Sequence, residues 1–84
     1  MIVHEEKTHR FIISKPEGLC YLEYTQEGSA VTVLHTVVPK ALSGQGIASL
    51  LAKAFYDWAT THGYTIYSDC SYMTAWLARK GFRV

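Results

Sequence analysis

The sequence is short of the features that would commit it to several broad classes. Its 84 residues hold only two cysteines and two prolines. Cys20 and Cys70 are too few and too far apart to read as a disulfide framework, and no CxxC pair occurs. Acidic and basic side chains nearly cancel, with Lys+Arg 8 against Asp+Glu 7 and a formal charge of +1. There is therefore no basic stripe to neutralise duplex DNA and no polybasic run to hold anionic lipid. No apolar stretch approaches the ~20 residues of a membrane helix, and Met1–Glu6 lacks a signal-peptide profile. The four histidines (His4, His9, His35, His62) show no metal-ligand spacing, so no metal is expected. These absences predict a soluble, cytoplasmic protein forming one small domain over residues 1–84, with no nucleic-acid or membrane partner.

What is present is a clear change of period halfway along. Arg10–Ser14 is a short β-rich run closed by the turn signal Lys15-Pro16-Glu17-Gly18. Leu19–Gln26 follows, with Leu19, Tyr21 and Glu23 on one face and Cys20, Leu22 and Tyr24 on the other. Glu27-Gly28-Ser29 then leads into Ala30–Val38, the strongest β-branched run in the chain. Three strands joined by short turns predict an antiparallel meander. From Ile47 the apolar positions become Ile47, Leu50, Leu51, Ala54, Phe55, Trp58 and Ala59, one helical face ended by Gly63. Tyr64–Asp69 returns to alternation, and Ser71 is placed to cap a last helix over Tyr72–Lys80, stopped by Gly81. The expected fold is α+β in the order β-β-β-α-β-α. The crossover helix makes the fourth strand parallel to the third, and the two helices are expected one on each face of the sheet.

The chemistry concentrates in the turn before the long helix, Ser43-Gly44-Gln45-Gly46-Ile47-Ala48. Glycine permits close approach of a ligand to the backbone, and a helix start offers unpaired N–H groups at the positive end of its dipole. That combination suits a phosphate or pyrophosphate. Turn-making alone would account for two glycines; their place between a long strand and an amphipathic helix favours the cradle. A P-loop is excluded because no lysine follows Gly46. A dinucleotide fingerprint is a near miss: Ser49 stands at its third glycine, Asp69 ends the next strand, but the upstream meander is wrong for a doubly wound sheet.

A third pattern fits. Val37-Val38-Pro39-Lys40-Ala41-Leu42-Ser43-Gly44-Gln45-Gly46-Ile47-Ala48 resembles the acyl-CoA-binding segment of the GNAT acetyltransferase superfamily, where V-x-P runs into [RQ]-x-x-G-x-[GA]. Gly46 and Ala48 match, while Ser43 stands where Arg or Gln is usual. Trp76-Leu77-Ala78-Arg79-Lys80-Gly81-Phe82 resembles the superfamily's F-Y-x-K-x-G-F ending, with Leu77 at the position of its frequent general-acid tyrosine. His35-Thr36-Val37-Val38-Pro39 and Cys70-Ser71-Tyr72 are similar to the H-T-x-V-P and C-P-[YF] segments of very small single-domain GNAT-like proteins. Ser71 replaces the proline. The resemblance runs from about Arg10 to Lys80 and implies a reduced GNAT-like fold.

The resemblance further implies an N-acetyltransferase that uses acetyl-CoA, or another acyl-CoA, as donor substrate and an amine as acceptor. Backbone N–H groups of Ser43, Gly44, Gln45, Gly46, Ile47 and Ala48 would receive the pyrophosphate. His35, Thr36 and Val37 would hold the pantetheine arm as an added strand. An amine of the lysine type has a pKa near 10.4, so a base must take its proton. His35 is the candidate, and Cys70 either protonates the departing thiolate or is itself acylated. Plainer roles stand beside these: a strand histidine bonded to backbone, and a buried thiol. Asp69 could orient His35, bind an amine or cap the last helix. Tyr72 could donate a proton or pack on the sheet. Arg79 and Lys80 could meet the CoA 3′-phosphate or answer the helix dipole, and Lys40 is a loop charge. Cys20, Trp58 and Trp76 are expected in the core, and His4, His9 and His62 carry no readable role. The alternative function is an acyl-CoA-binding protein with little turnover. A full GNAT domain is markedly longer, so the thioester end is expected to be open and the acceptor is not specified.

Overall fold

The computed structural model describes residues 1–81; Phe82, the last match of the F-Y-x-K-x-G-F resemblance, lies outside them. Five strands form one sheet in the order β1 (Val3–Glu5), β2 (Arg10–Lys15), β3 (Gly18–Glu27), β4 (Ala30–Val37) and β5 (Thr65–Ser68). The first four pair antiparallel, and β4 pairs β5 parallel over Ala30↔Thr65 to Val33↔Ser68. Helix α1 (Ile47–Thr61) makes the crossover, and α2 (Ser71–Arg79) follows β5. The α+β class, the meander and the parallel fourth pairing are as the sequence pattern predicts.

Strand β1 was not predicted. Three residues are too few to show a period, and the strand exists because it lies along β2 in the register Val3↔Ile12 to Glu5↔Arg10. His9, between them, takes the left-handed conformation (φ 57°) and its carbonyl accepts from the Tyr24 N–H at 3.0 Å.

The expectation of one helix on each face is corrected: both helices cover the same face. Phe11 and Ile13 of β2, Cys20, Leu22 and Tyr24 of β3, Val31 and Val33 of β4 and Ile66 of β5 are all buried. The register places them on a common face, with Phe11 opposite Leu22, Ile13 opposite Cys20 and Tyr24 opposite Val33. The α1 face Leu51, Ala52, Phe55 and Ala59 packs there, Phe55 against the rings of Phe11 and Tyr24. Helix α2 lies beside α1: Met73, Trp76 and Leu77 join the same core, and the Trp76 indole N–H donates to the Ser49 hydroxyl at 3.1 Å. That hydrogen bond and the contact of the Trp76 and Tyr56 rings are long-range pairings that helical periodicity does not reveal. Among the described residues no element covers the other face of the sheet, where Leu19, Val37 and Tyr67 are exposed.

Burial of the expected core residues follows: Cys20 and Trp76 are buried, and Trp58 packs against the core through the rings of Phe11, Tyr24 and Phe55. A fully buried side chain of the Phe55 or Leu51 kind stabilises by about 1.5–3 kcal/mol, and the common face concentrates these contributions. No described helix is long and apolar enough to cross a membrane.

Candidate functional site

Beyond β4 the chain turns through Val38-Pro39 and a short 3-10 turn, Lys40–Leu42, and reaches Gly46, the residue before α1. Gly44 and Gly46 adopt φ 81° and 78°, a left-handed conformation that side chains rarely adopt. A Cβ at either would meet nothing within 4 Å, so space lies open above both. The helix has no side-chain cap, and its first backbone bond is Leu50 N–H to Gly46 C=O at 3.1 Å. The N–H groups of Ile47, Ala48 and Ser49 are therefore unpaired by the helix and sit at its positive end.

These groups border a cleft of about 260 Å³. Its walls are Val38, Leu42, Ser43 and Gly44 on one side, Gly46 to Ser49 on another, and Tyr72 of α2. Five predicted positions (Ser43, Gly44, Gly46, Ile47 and Ala48) thus meet at one cavity. Gln45 belongs to the same loop but does not line it. Ile47 is buried, so only its backbone can serve a ligand. The Ser43 side chain is turned onto its own loop, its hydroxyl donating to the Lys40 carbonyl at 2.9 Å. Lys40 itself is exposed.

The other predicted residues sit at the end of β4. Its last partner on β5 is Ser68, opposite Val33, and the Asp69 N–H closes on the Val33 carbonyl at 2.8 Å. From Leu34 to Val37, the edge away from β3 has no strand beside it among the described residues. A bulge sits in this segment. The β3–β4 register passes from Tyr24↔Val33 to Glu23↔His35, so Leu34 is an extra residue. Without it, His35 would share the inner face with Val33. With it, His35 stands on the open face beside Glu23, and Thr36 turns inward.

His35 and Cys70 are consequently on opposite faces of β4. Cys70 precedes α2 and is half-buried, and its thiol donates to the Thr36 hydroxyl at 3.7 Å. The His35 Nε2 lies 3.4 Å from Glu23 Oε1, and the Arg10 guanidinium lies 3.5 Å from that same oxygen. Asp69 is exposed and neither orients His35 nor caps α2. Ser71 is the first residue of α2 rather than its cap, and Cys70 in the cap position makes no side-chain cap bond. Glu23, which sequence reasoning did not single out, is the carboxylate at His35; its cross-strand position was the available signal, hidden by the bulge.

Four further positions lie in α2 and just after it. Tyr72 both packs against the core and walls the cleft. Leu77 is fully buried, so the position that the resemblance aligns with a general-acid tyrosine faces the core here. Lys80 lies over the Trp76 ring, 5.3 Å from its centroid, and Arg79 is exposed. Among the described residues no three His, Cys, Asp or Glu side chains are grouped to hold a metal.

Away from the cleft, three histidines gather around Tyr24 and Trp58. His4 stacks on Phe11 with ring centroids 4.0 Å apart, and its Nε2 is 2.6 Å from the Tyr24 hydroxyl. Burial holds the His4 pKa below the ordinary histidine value, and it pushes the Tyr24 phenol up to about 12. His9 lies against Tyr24, and His62 against Trp58 and Tyr64.

A helix start with free N–H groups, an open double-glycine turn and an unpaired strand end can receive a long ligand carrying phosphate at one end and amide groups along its length. The sequence model of one family covers this whole arrangement. Residues 10–82 match the family described as GCN5-related N-acetyl-transferase, and the chain belongs to it.

Proposed function

We propose that this GCN5-related family member is an acyl-CoA-dependent N-acetyltransferase, with acetyl-CoA as donor and a primary amine as acceptor. The observation that carries the reading is the cleft at the double-glycine turn, walled by Val38 one residue beyond the free edge of β4. In this reading the N–H groups of Gly44 to Ala48 receive the pyrophosphate; the Ser43 N–H, expected among them, is instead spent on the Lys40 carbonyl at 3.2 Å. The backbone of His35, Thr36 and Val37 pairs with the pantetheine amides. The thioester then lies where β4 and β5 part, between the two faces of the sheet.

The acceptor approaches from the open face. As its nitrogen bonds to the carbonyl carbon, His35 takes the amine proton. A strand-edge N–H of β4 stabilises the oxyanion. The C–S bond breaks with its electron pair leaving on sulfur, and the Cys70 thiol protonates that thiolate from the inner side. His35 returns its proton to water and Cys70 regains one, so the products are an amide and free CoA. The thiol's contact with the Thr36 hydroxyl supports a proton-donor role over acylation of Cys70.

The competing reading, an acyl-CoA-binding protein with little turnover, is favoured by one observation: Leu77 is buried at the position that the resemblance aligns with a general-acid tyrosine. Calorimetric titration with CoA, together with free-thiol release from acetyl-CoA across an amine panel, separates the two. Binding with amine-dependent thiol release is the expected result; binding without release on any amine would favour the alternative. Tighter binding of a nicotinamide dinucleotide than of CoA would overturn both.

A further inference from the structure

The open face of the sheet carries a row of three side chains drawn from three strands: Arg10 on β2, Glu23 on β3 and His35 on β4. The register makes them consecutive cross-strand partners, Arg10↔Glu23 and Glu23↔His35. Their polar atoms converge on one oxygen, Glu23 Oε1, at 3.5 Å from Arg10 and 3.4 Å from His35 Nε2. Arg10 is further fixed by stacking over Tyr21, 4.3 Å from the ring centroid. The row exists only because the bulge at Leu34 sets His35 on the outer face.

We propose that Glu23 is the positioning residue for His35, held in turn by Arg10, and that it makes Nδ1 the atom that receives the acceptor's proton. This rests on the reading of His35 as base. The physical argument is electrostatic. A carboxylate beside Nε2 favours the tautomer that carries hydrogen there, which leaves the lone pair on Nδ1. When Nδ1 takes the amine proton, the positive charge forms next to a fixed negative one and is stabilised where it develops. Arg10 pairs with the carboxylate without reaching the imidazole, so it restrains Glu23 electrostatically and keeps the row in register. The groups facing His35 in this row are Glu23 from β3 and, behind it, Arg10 from β2.

Two measurements on the full chain test this. The first is the pair of imidazole 15N shifts of His35 in the free protein at pH 8, which reports the tautomer without any turnover. An Nε2–H tautomer that becomes mixed in Glu23→Ala is expected; an Nδ1–H tautomer in the unmutated protein would overturn the proposal. The second is steady-state acetyl transfer to spermidine, a lysine-containing peptide and a peptide with a free N-terminus. Glu23→Gln should lower kcat about tenfold, a part of the ~10²–10⁴ a general base supplies, with KM for acetyl-CoA within twofold. Glu23→Asp should recover part of the loss. A Glu23→Gln kcat within twofold of normal, alongside loss of turnover in His35→Ala, would sink the role of Glu23 and leave the base intact. Full turnover in His35→Ala would instead remove the base assignment and the catalytic part of this proposal, while the tautomer still decides the positioning.

Discussion

The Cys70 sulfur lies 3.7 Å from the Thr36 hydroxyl, joining residues 34 apart in the chain where β4 ends and α2 begins. The contact ties the thiol to the strand whose next-door residue, His35, points the other way. A thioester held between them would meet a base on one face and a proton donor on the other.

The first prediction follows from the direction of that bond. If the thiol serves as a donor, incubation with acetyl-CoA leaves the intact mass unchanged, and Cys70→Ala slows amine-dependent CoA release without abolishing CoA binding. An added acetyl mass mapped to Cys70 would establish the covalent route instead.

The cradle makes a second prediction. Replacing Gly46 by alanine places a Cβ in open space, so its cost is conformational: about 1–2 kcal/mol for a left-handed alanine. The urea midpoint should fall accordingly, and CoA affinity should fall with it because the N–H groups before α1 are re-aimed. Unchanged affinity in calorimetry would place the phosphates elsewhere.

Ser43 offers a gain of affinity. Its hydroxyl bond to Lys40 is exposed and worth about 1 kcal/mol or less. Ser43→Arg should tighten CoA binding about three- to tenfold through charge-assisted contact with phosphate, and the gain should shrink as salt rises. A guanidinium that leaves the binding curve and its salt dependence unaltered would argue against the pyrophosphate site.

His4 gives the protein an acid limit. Its pKa in the folded state is lowered from 6.5, chiefly by burial, with Glu6 opposing and His62 and His9 adding to the shift. The unfolded chain therefore binds the proton first as pH falls, so stability is full above about 6.5 and declines below it. Urea midpoints at pH 7.5 and 5.5 should show the decline, and His4→Phe should flatten it. At the alkaline end the raised Tyr24 pKa acts with the opposite sign: stability declines from about pH 10 towards 12, as the unfolded phenol ionises first.

The chain's own pattern reveals local structure well and long-range structure poorly. The alternation of Cys20, Leu22 and Tyr24 and the double-glycine turn are local properties and are found as predicted; the helical face from Ile47 to Ala59 is found with one shift, Leu50 being exposed and Ala52 buried in its place. Three findings depend instead on which segments meet. The strand Val3–Glu5 has no period of its own; it borrows order from β2. The shared face of the two helices is sealed by Trp76 reaching Ser49 on α1. The partner of His35 depends on one extra residue in β4, which reverses the face of every side chain after it. Asp69, adjacent in sequence to the site, was the natural guess for that partner; Glu23 holds the place through pairing across strands.

The uncovered face of the sheet also divides labour within the molecule. Side chains that pack the core and side chains that would greet an acceptor come from alternate positions of the same strands. Exchanges at Leu19, Val37 or Tyr67 alter the outer landscape while Cys20, Leu22 and Ile66 continue to hold the helices. If the acceptor is taken on this face, as proposed, such an architecture would let acceptor preference change one outward residue at a time with little penalty in folding.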